Sequence, residues 1–167
     1  MFLSNSLDVM EPKSFFAPLR PKKTKMDTAP LNIMLVEDVH ADALLTRIAL
    51  DATNVPFSLT RLKRGDEVIS NLRISKKLCP AEIPDLIMLD LGLPGMDGFE
   101  ILAELSQMSS LIRSIPIVVV TSHQHFEYVQ KTYPLFVMSY INKPCNSAEM
   151  RDVLLRIRNM KKNDRHA

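Results

Sequence analysis

Four short apolar runs, each leading into a residue that can do chemistry, constrain this chain more than any other feature. Ile33-Met34-Leu35-Val36 ends in the acidic pair Glu37-Asp38, and Leu86-Ile87-Met88-Leu89 ends in Asp90. Ile117-Val118-Val119-Val120 ends in Thr121, and Met138-Ser139-Tyr140-Ile141 is followed by Lys143-Pro144. A parallel strand buried on both faces reads as a continuous apolar run. Open α/β sheets gather ligand chemistry beyond the carboxyl ends of their strands. The runs therefore predict one site containing three carboxylates, a hydroxyl and an ammonium. That set suits a phosphoryl group and a hard divalent cation. Mg²⁺ takes oxygen ligands, commonly one or two carboxylates plus phosphate. A lysine supplies a compact positive charge, and a hydroxyl supplies a neutral donor.

Strand and helix patterns alternate from Leu31 onward, which argues for a parallel sheet with helices on its faces. Strands are expected at Leu31 to Val36, Phe57 to Leu62, Asp85 to Asp90, Ile117 to Thr121 and Val137 to Ile141. The first helix is expected from about Ala41 to Ala52, with Leu44, Leu45, Ile48 and Ala49 at helical spacing. The second runs from about Asp66 to Lys77, with Val68, Ile69, Leu72 and Ile74 turned inward, and Leu78 to Pro84 forms a loop. The third starts at Asp97, with Glu100 three residues on in a capping-box arrangement and Ile101, Leu102 and Leu105 as its apolar face. A fourth, from about Gln124 to Tyr133, carries residues of middling helix propensity and must stop at Pro134. The last is capped by Asn146 with Glu149 and ends near Met160, facing Met150, Val153, Leu154 and Ile157 to the core and Arg151, Arg156 and Arg158 to solvent. Five βα units predict a flavodoxin-like (βα)5 three-layer sandwich of strand order 2-1-3-4-5. Right-handed crossovers then bring the ends of strands one, three, four and five together.

Glu37-Asp38, Asp90 with the Leu93-to-Gly98 run LPGMDG, Thr121-Ser122, Tyr140 and Lys143-Pro144 together resemble a response-regulator receiver domain. The likeness is to the stand-alone, phytochrome-associated type and spans roughly Leu31 to Met160. Each residue alone has a plain reading: an aspartate after a strand is usually a turn or cap residue, and a lone lysine is a surface charge. The ordered set, at intervals of 52, 31 and 22 residues from Asp38 through Asp90 and Thr121 to Lys143, leaves little room for coincidence. The resemblance implies that Asp90 is the phosphoacceptor, assisted by Lys143 and Thr121. It implies Mg²⁺ on Asp38 and Asp90, with Glu37 acting through water and the Gly92 backbone carbonyl as third protein ligand. Thr121 and Tyr140 would form the switch, Thr121 drawn inward and the Tyr140 ring turning into the space. Gly92, two residues after Asp90, and His123, two after Thr121, stand where the family sets phosphoryl lifetime, and a cis Lys143-Pro144 bond is expected. The implied donor is a histidine kinase or phosphotransfer protein docking near the first helix, around Ala41 and Leu44. The output is an unknown downstream protein, and the face of fourth helix, fifth strand and fifth helix is a candidate homodimer surface.

Two rivals carry different chemistry. A pseudo-receiver that never holds phosphate usually lacks the acceptor or the acidic pair, and both are present. A haloacid-dehalogenase-type phosphatase wants a second acid two residues after the nucleophile, where Gly92 stands. A flavodoxin-type FMN carrier is weaker still, because an acidic loop after the first strand repels phosphate.

A formal charge of +2 gives no argument for nucleic acid, and 46% hydrophobic residues suffice for one core. Cys79 and Cys145 lack metal-type spacing, which fits a reduced cytoplasmic protein. The apolar runs fall far short of the ~20 residues of a membrane span. Residues 1–30, interrupted by Pro12, Pro18, Pro21 and Pro30 and ending in Arg20, Lys22, Lys23 and Lys25, read as a flexible arm or basic tether, with Met26 an alternative start. The receiver unit is placed at 31–160 and a tail without an output module at 161–167.

Overall fold

The computed structural model describes residues 29–75, 83–122 and 137–164. In chain order they form β1 (Leu31–Val36), α1 (His40–Asp51), β2 (Phe57–Leu62), α2 (Gly65–Ser75), β3 (Leu86–Leu89) and α3 (Gly98–Ser106). The short turn α4 (Ser110–Arg113), β4 (Ile117–Thr121), β5 (Ser139–Asn142) and α5 (Ser147–Asp164) follow. The strands make one parallel sheet of order β2-β1-β3-β4-β5, the flavodoxin-like order expected from the sequence.

Alternation along each strand divides the core between the two faces of the sheet. Met34, Val36, Ile87, Leu89, Ile117 and Val119 meet Val68, Leu72, Ile101, Leu102 and Leu105 of α2 and α3. Leu31, Ile33, Leu35, Leu86, Met88, Val118 and Val120 meet Leu50 of α1 and Met150, Val153, Leu154 and Ile157 of α5. A fully buried Leu or Ile contributes about 1.5–3 kcal/mol, so this double layer holds the central strands rigidly. Pairing sets Val36 beside Leu89, Leu89 beside Val119 and Val119 beside Tyr140, one row across the sheet. Glu37 and Asp90 come one residue beyond that row.

The capping box of α3 forms as expected, with Glu100 N donating to Asp97 Oδ1 at 2.8 Å and Asp97 N donating to Glu100 Oε2 at 2.9 Å. Asn146 caps α5 by accepting from Ala148 N at 2.8 Å. The Lys143-Pro144 bond is cis.

Several expectations need correction. Of the four apolar residues at helical spacing on α1, Ala49 is buried, while Leu44, Leu45 and Ile48 are 51%, 49% and 55% exposed; Ala43, Thr46 and Leu50 share the buried face with Ala49. Three of those four buried residues are small, so most of the apolar bulk of α1 lies outside its inward face. Ile74 is likewise exposed, at 58%. α4 was not expected. α5 continues to Asp164 rather than ending near Met160, so part of the expected tail is helix. Arg158 is buried, not solvent-facing, and its guanidinium donates to the carbonyls of Ala29 (3.2 Å) and Pro56 (3.3 Å), where the chain enters β1 and β2. The expected helix at 124–133, His123, Cys79 and nearly all of the arm lie outside the described residues. No helix among the described residues is long and apolar enough to cross a membrane.

Candidate phosphoryl-acceptor and metal site

Strand ends deliver the site. Asp90 leaves β3 with its N–H donating to the Val36 carbonyl at 3.0 Å, which fixes it beside the end of β1. The loop beyond folds back on itself: Gly98 N donates to Leu91 O at 3.1 Å. A Cβ at Gly98 would stand 2.6 Å from Leu91 Cα and 2.7 Å from Asp90 O, so only glycine permits this approach. On the far side, Lys143 N donates to Thr121 O at 3.1 Å, tying the lysine to the end of β4.

These anchors bring the charged groups together. Lys143 Nζ lies 2.6 Å from Asp90 Oδ2 and 2.6 Å from Glu37 Oε2. Asp90 Oδ1 accepts from Gly92 N at 3.1 Å, and Glu37 Oε1 accepts from Val39 N at 3.1 Å. Glu37, Asp38 and Asp90 each offer an oxygen within 4.8 Å of the others. Asp38 Oδ1 is buried without a hydrogen-bond partner among the described residues. A buried carboxylate oxygen in that condition is costly unless something positive meets it. Three oxygen donors, one of them unsatisfied, therefore fit a hard divalent cation.

The electrostatics are tense. Burial pushes the Glu37 carboxyl above its ordinary range, opposed by its contact with Lys143. Burial acts to lower Lys143, but its bonds to Asp90, Glu37 and Asp42 prevail and hold the ammonium above the usual lysine range. The lysine is thus a fixed cation.

Thr121, the last residue of β4, is buried and stands opposite Asn142 of β5, next to the lysine. Tyr140 is half-buried on β5, its ring packed against the α2–α3 side of the core, and burial raises its phenol. Cys145 packs as a small residue, its Sγ 3.5 Å from Thr46 Oγ1, and burial raises its thiol. At Gly92 a Cβ would lie 3.8 Å from Asp90 Oδ1, ordinary contact, so a side chain here would overlook the carboxylate.

Sequence reasoning missed Asp42, whose Oδ2 accepts from Lys143 Nζ at 2.9 Å. The available cue was an acid in the first turn of α1, four residues after Asp38. It also missed Arg61, which reaches the main chain of the acidic pair. A cleft of about 370 Å³ beside the site is lined by Asp42, Leu45, Thr46, Lys143, Pro144 and Cys145.

The response regulator receiver domain matches residues 33–155. Response regulator Rcp1 of Synechocystis sp. is 36% identical over 121 residues, 72% of this chain and 82% of Rcp1. Among solved structures, the phosphorylated cyanobacterial phytochrome response regulator RcpA superposes with a TM-score of 0.59 at 34% identity, covering 80% of this chain and 93% of RcpA. The Mn²⁺-bound form of Rcp1 superposes with a TM-score of 0.58 at 34% identity, covering 79% and 92%.

Proposed function

We propose a phosphoryl-accepting role for this chain, which belongs to the response regulator receiver domain family and is thereby a signalling protein of two-component systems. Asp90 is the acceptor. One of its carboxylate oxygens attacks the phosphorus of a phosphohistidine on a histidine kinase or phosphotransfer protein. An O–P bond forms, the P–N bond breaks, and the imidazole nitrogen leaves with the electron pair. Phosphoryl transfer asks a protein mainly for positioning and charge neutralisation. Lys143 supplies a fixed cation for the transferred oxygens, and Thr121 donates its hydroxyl to one of them. Glu37, Asp38, Asp90 and the Gly92 carbonyl would hold Mg²⁺, which when bound neutralises charge on the incoming group. The observation that carries this reading is the ammonium of Lys143 at 2.6 Å from Asp90 Oδ2 within a three-acid cluster.

The donor docks over α1 and the cleft beside it. Leu44, Leu45 and Ile48 are exposed there, adjoining a concavity floored by Pro144 and Cys145. Output runs through Tyr140, whose half-buried ring repacks when Thr121 moves toward the phosphoryl group, a two-state element biased by local charge. The β5–α5 face then meets a downstream protein or a second copy. We place the protein in the cytoplasm, with its kinase.

Incubation with Mg²⁺ and a small phosphodonor, followed by intact-mass measurement, tests the reading. Wild type gains one phosphoryl group and Asp90→Asn gains none. Equal mass for both, unshifted, would leave a phosphorylation-independent interaction module as the better account. Tyr140→Ala should accept phosphate normally and bind its downstream partner more weakly. Unaltered binding would remove Tyr140 from the switch.

A further inference from the structure

The acidic pair is held in place from an unexpected quarter. Arg61 lies on the edge strand β2, opposite Leu35 in register, and its half-buried side chain reaches over the end of β1. Its Nε donates to the Glu37 carbonyl at 2.9 Å and its Nη2 to the Asp38 carbonyl at 2.8 Å. Its Nη1 lies 3.2 Å from His40 Nδ1. A guanidinium only donates, so a hydrogen bond here requires the His40 tautomer with Nδ1 free to accept. One planar fork therefore binds the two acids through their main chain and also the first residue of α1.

Glu37 N donates to Leu62 O at 3.0 Å, so β2 grips this corner from both its backbone and its side chain. β1 ends at Val36 and α1 begins at His40, leaving Glu37, Asp38 and Val39 as a short connector. The N-cap Val39 has no side-chain cap bond; its N–H donates to Glu37 Oε1 at 3.1 Å, and its carbonyl accepts from Ala43 N at 3.1 Å. The fork holds the two carbonyls, and the Glu37 carboxylate is also held directly by Lys143 and Val39 N. Asp38 Oδ1 has no hydrogen-bond partner among the described residues, so the fork bears most on Asp38.

We infer that Arg61 is a positioning residue for the divalent-cation site, acting through the backbone of Glu37 and Asp38 without touching the ion. The inference rests on the metal reading given above. It also makes a prediction whose sign separates it from charge alone. Removing a cation close to a cation site should, by Coulomb's law, tighten binding. Loss of a positioning fork should weaken it. Outer groups that orient metal ligands typically contribute about tenfold to a hundredfold in affinity. Lysine at this position would keep the charge but lacks the rigid fork that spans two carbonyls.

Mn²⁺ binding to the full chain, followed by the electron paramagnetic resonance of the free ion, provides the test. Wild type, Arg61→Met, Arg61→Lys and Asp38→Asn are titrated, with circular dichroism to establish that each is folded. Wild type should bind, Asp38→Asn should bind poorly, and both Arg61 variants should bind about tenfold more weakly or worse. A merely structural arginine would lower the urea midpoint and leave the affinity of the folded protein unchanged. Wild-type or tighter binding by Arg61→Met overturns the inference, and so does wild-type binding by Arg61→Lys. The lysine variant also decides the matter should the methionine variant not fold. Failure of wild type itself to bind Mn²⁺ would overturn the metal reading and the inference together.

Discussion

Lys143 stabilises this site and is trapped by it. Three carboxylates converge on one ammonium, two at 2.6 Å and Asp42 at 2.9 Å, and Glu37 among them is wholly buried. Removing one partner of a buried pair leaves an uncompensated charge, at roughly 3 kcal/mol. Lys143→Met should therefore destabilise the metal-free protein by about that amount near neutral pH. The pH dependence follows from Glu37, whose carboxyl already sits above its ordinary range through burial. Losing the lysine removes the main influence holding it down, so the rise grows. A carboxyl with a native pKa above its unfolded value of about 4.3 loses stability as pH rises between the two. The gap between wild type and Lys143→Met in urea denaturation should widen as pH rises above the unfolded carboxyl value, because Glu37 is raised in the folded state. A gap that narrows would contradict the assigned role of Glu37. Most of these residues were legible in the sequence, because each ends an apolar run. Asp42 and Arg61 were not. One is a helix-start acid and the other an edge-strand arginine, and only the folded crossing of α1, β2 and β5 gives either a partner.

At the scale of elements, α3 shows what local chemistry can fix. Asp97 and Glu100 close a reciprocal cap, and Gly98 behind it lets the chain pass against Leu91. Asp97→Ala should cost about 1 kcal/mol. Gly98→Ala should cost more, about 1–3 kcal/mol, because the new methyl meets backbone rather than a flexible side-chain end. Its readout is also different: crowding against Asp90 O should slow phosphoryl incorporation, which the Asp97 change should spare. Equal rates in the two variants would separate the loop from the site. Capping boxes and strand runs could be read directly, since both depend on neighbours in sequence. The apolar stripe of α1 could not be assigned. Leu44, Leu45 and Ile48 keep helical spacing whether they face a core or a partner, and the pattern is the same in both cases. Arg158 shows the same limit from the other side, since the carbonyls that keep it buried lie 129 and 102 positions away in sequence.

For the whole molecule, the sheet order matches the one expected from five βα units in the sequence joined by right-handed crossovers, which is why topology and site chemistry could be inferred together. If the cluster of acids binds a cation as proposed, stability should depend on that cation. A ligand that binds only the folded state at about 100 times its Kd adds about 2.7 kcal/mol. For a chain of this size that corresponds to a Tm rise of about 5–10 °C. Saturating Mg²⁺ should produce such a rise in wild type by calorimetry, and Asp38→Asn should lose most of it. An equal rise in both would place the ion elsewhere. The claim on which all of this rests is that one carboxylate becomes an acyl phosphate, and that can be read at single-residue resolution. After phosphorylation in Mg²⁺, borohydride reduction converts an aspartyl phosphate to homoserine, and peptide mass spectrometry locates it. The account predicts homoserine at position 90 alone, absent when the cation is chelated. Homoserine at another acid, or at none, would contradict it.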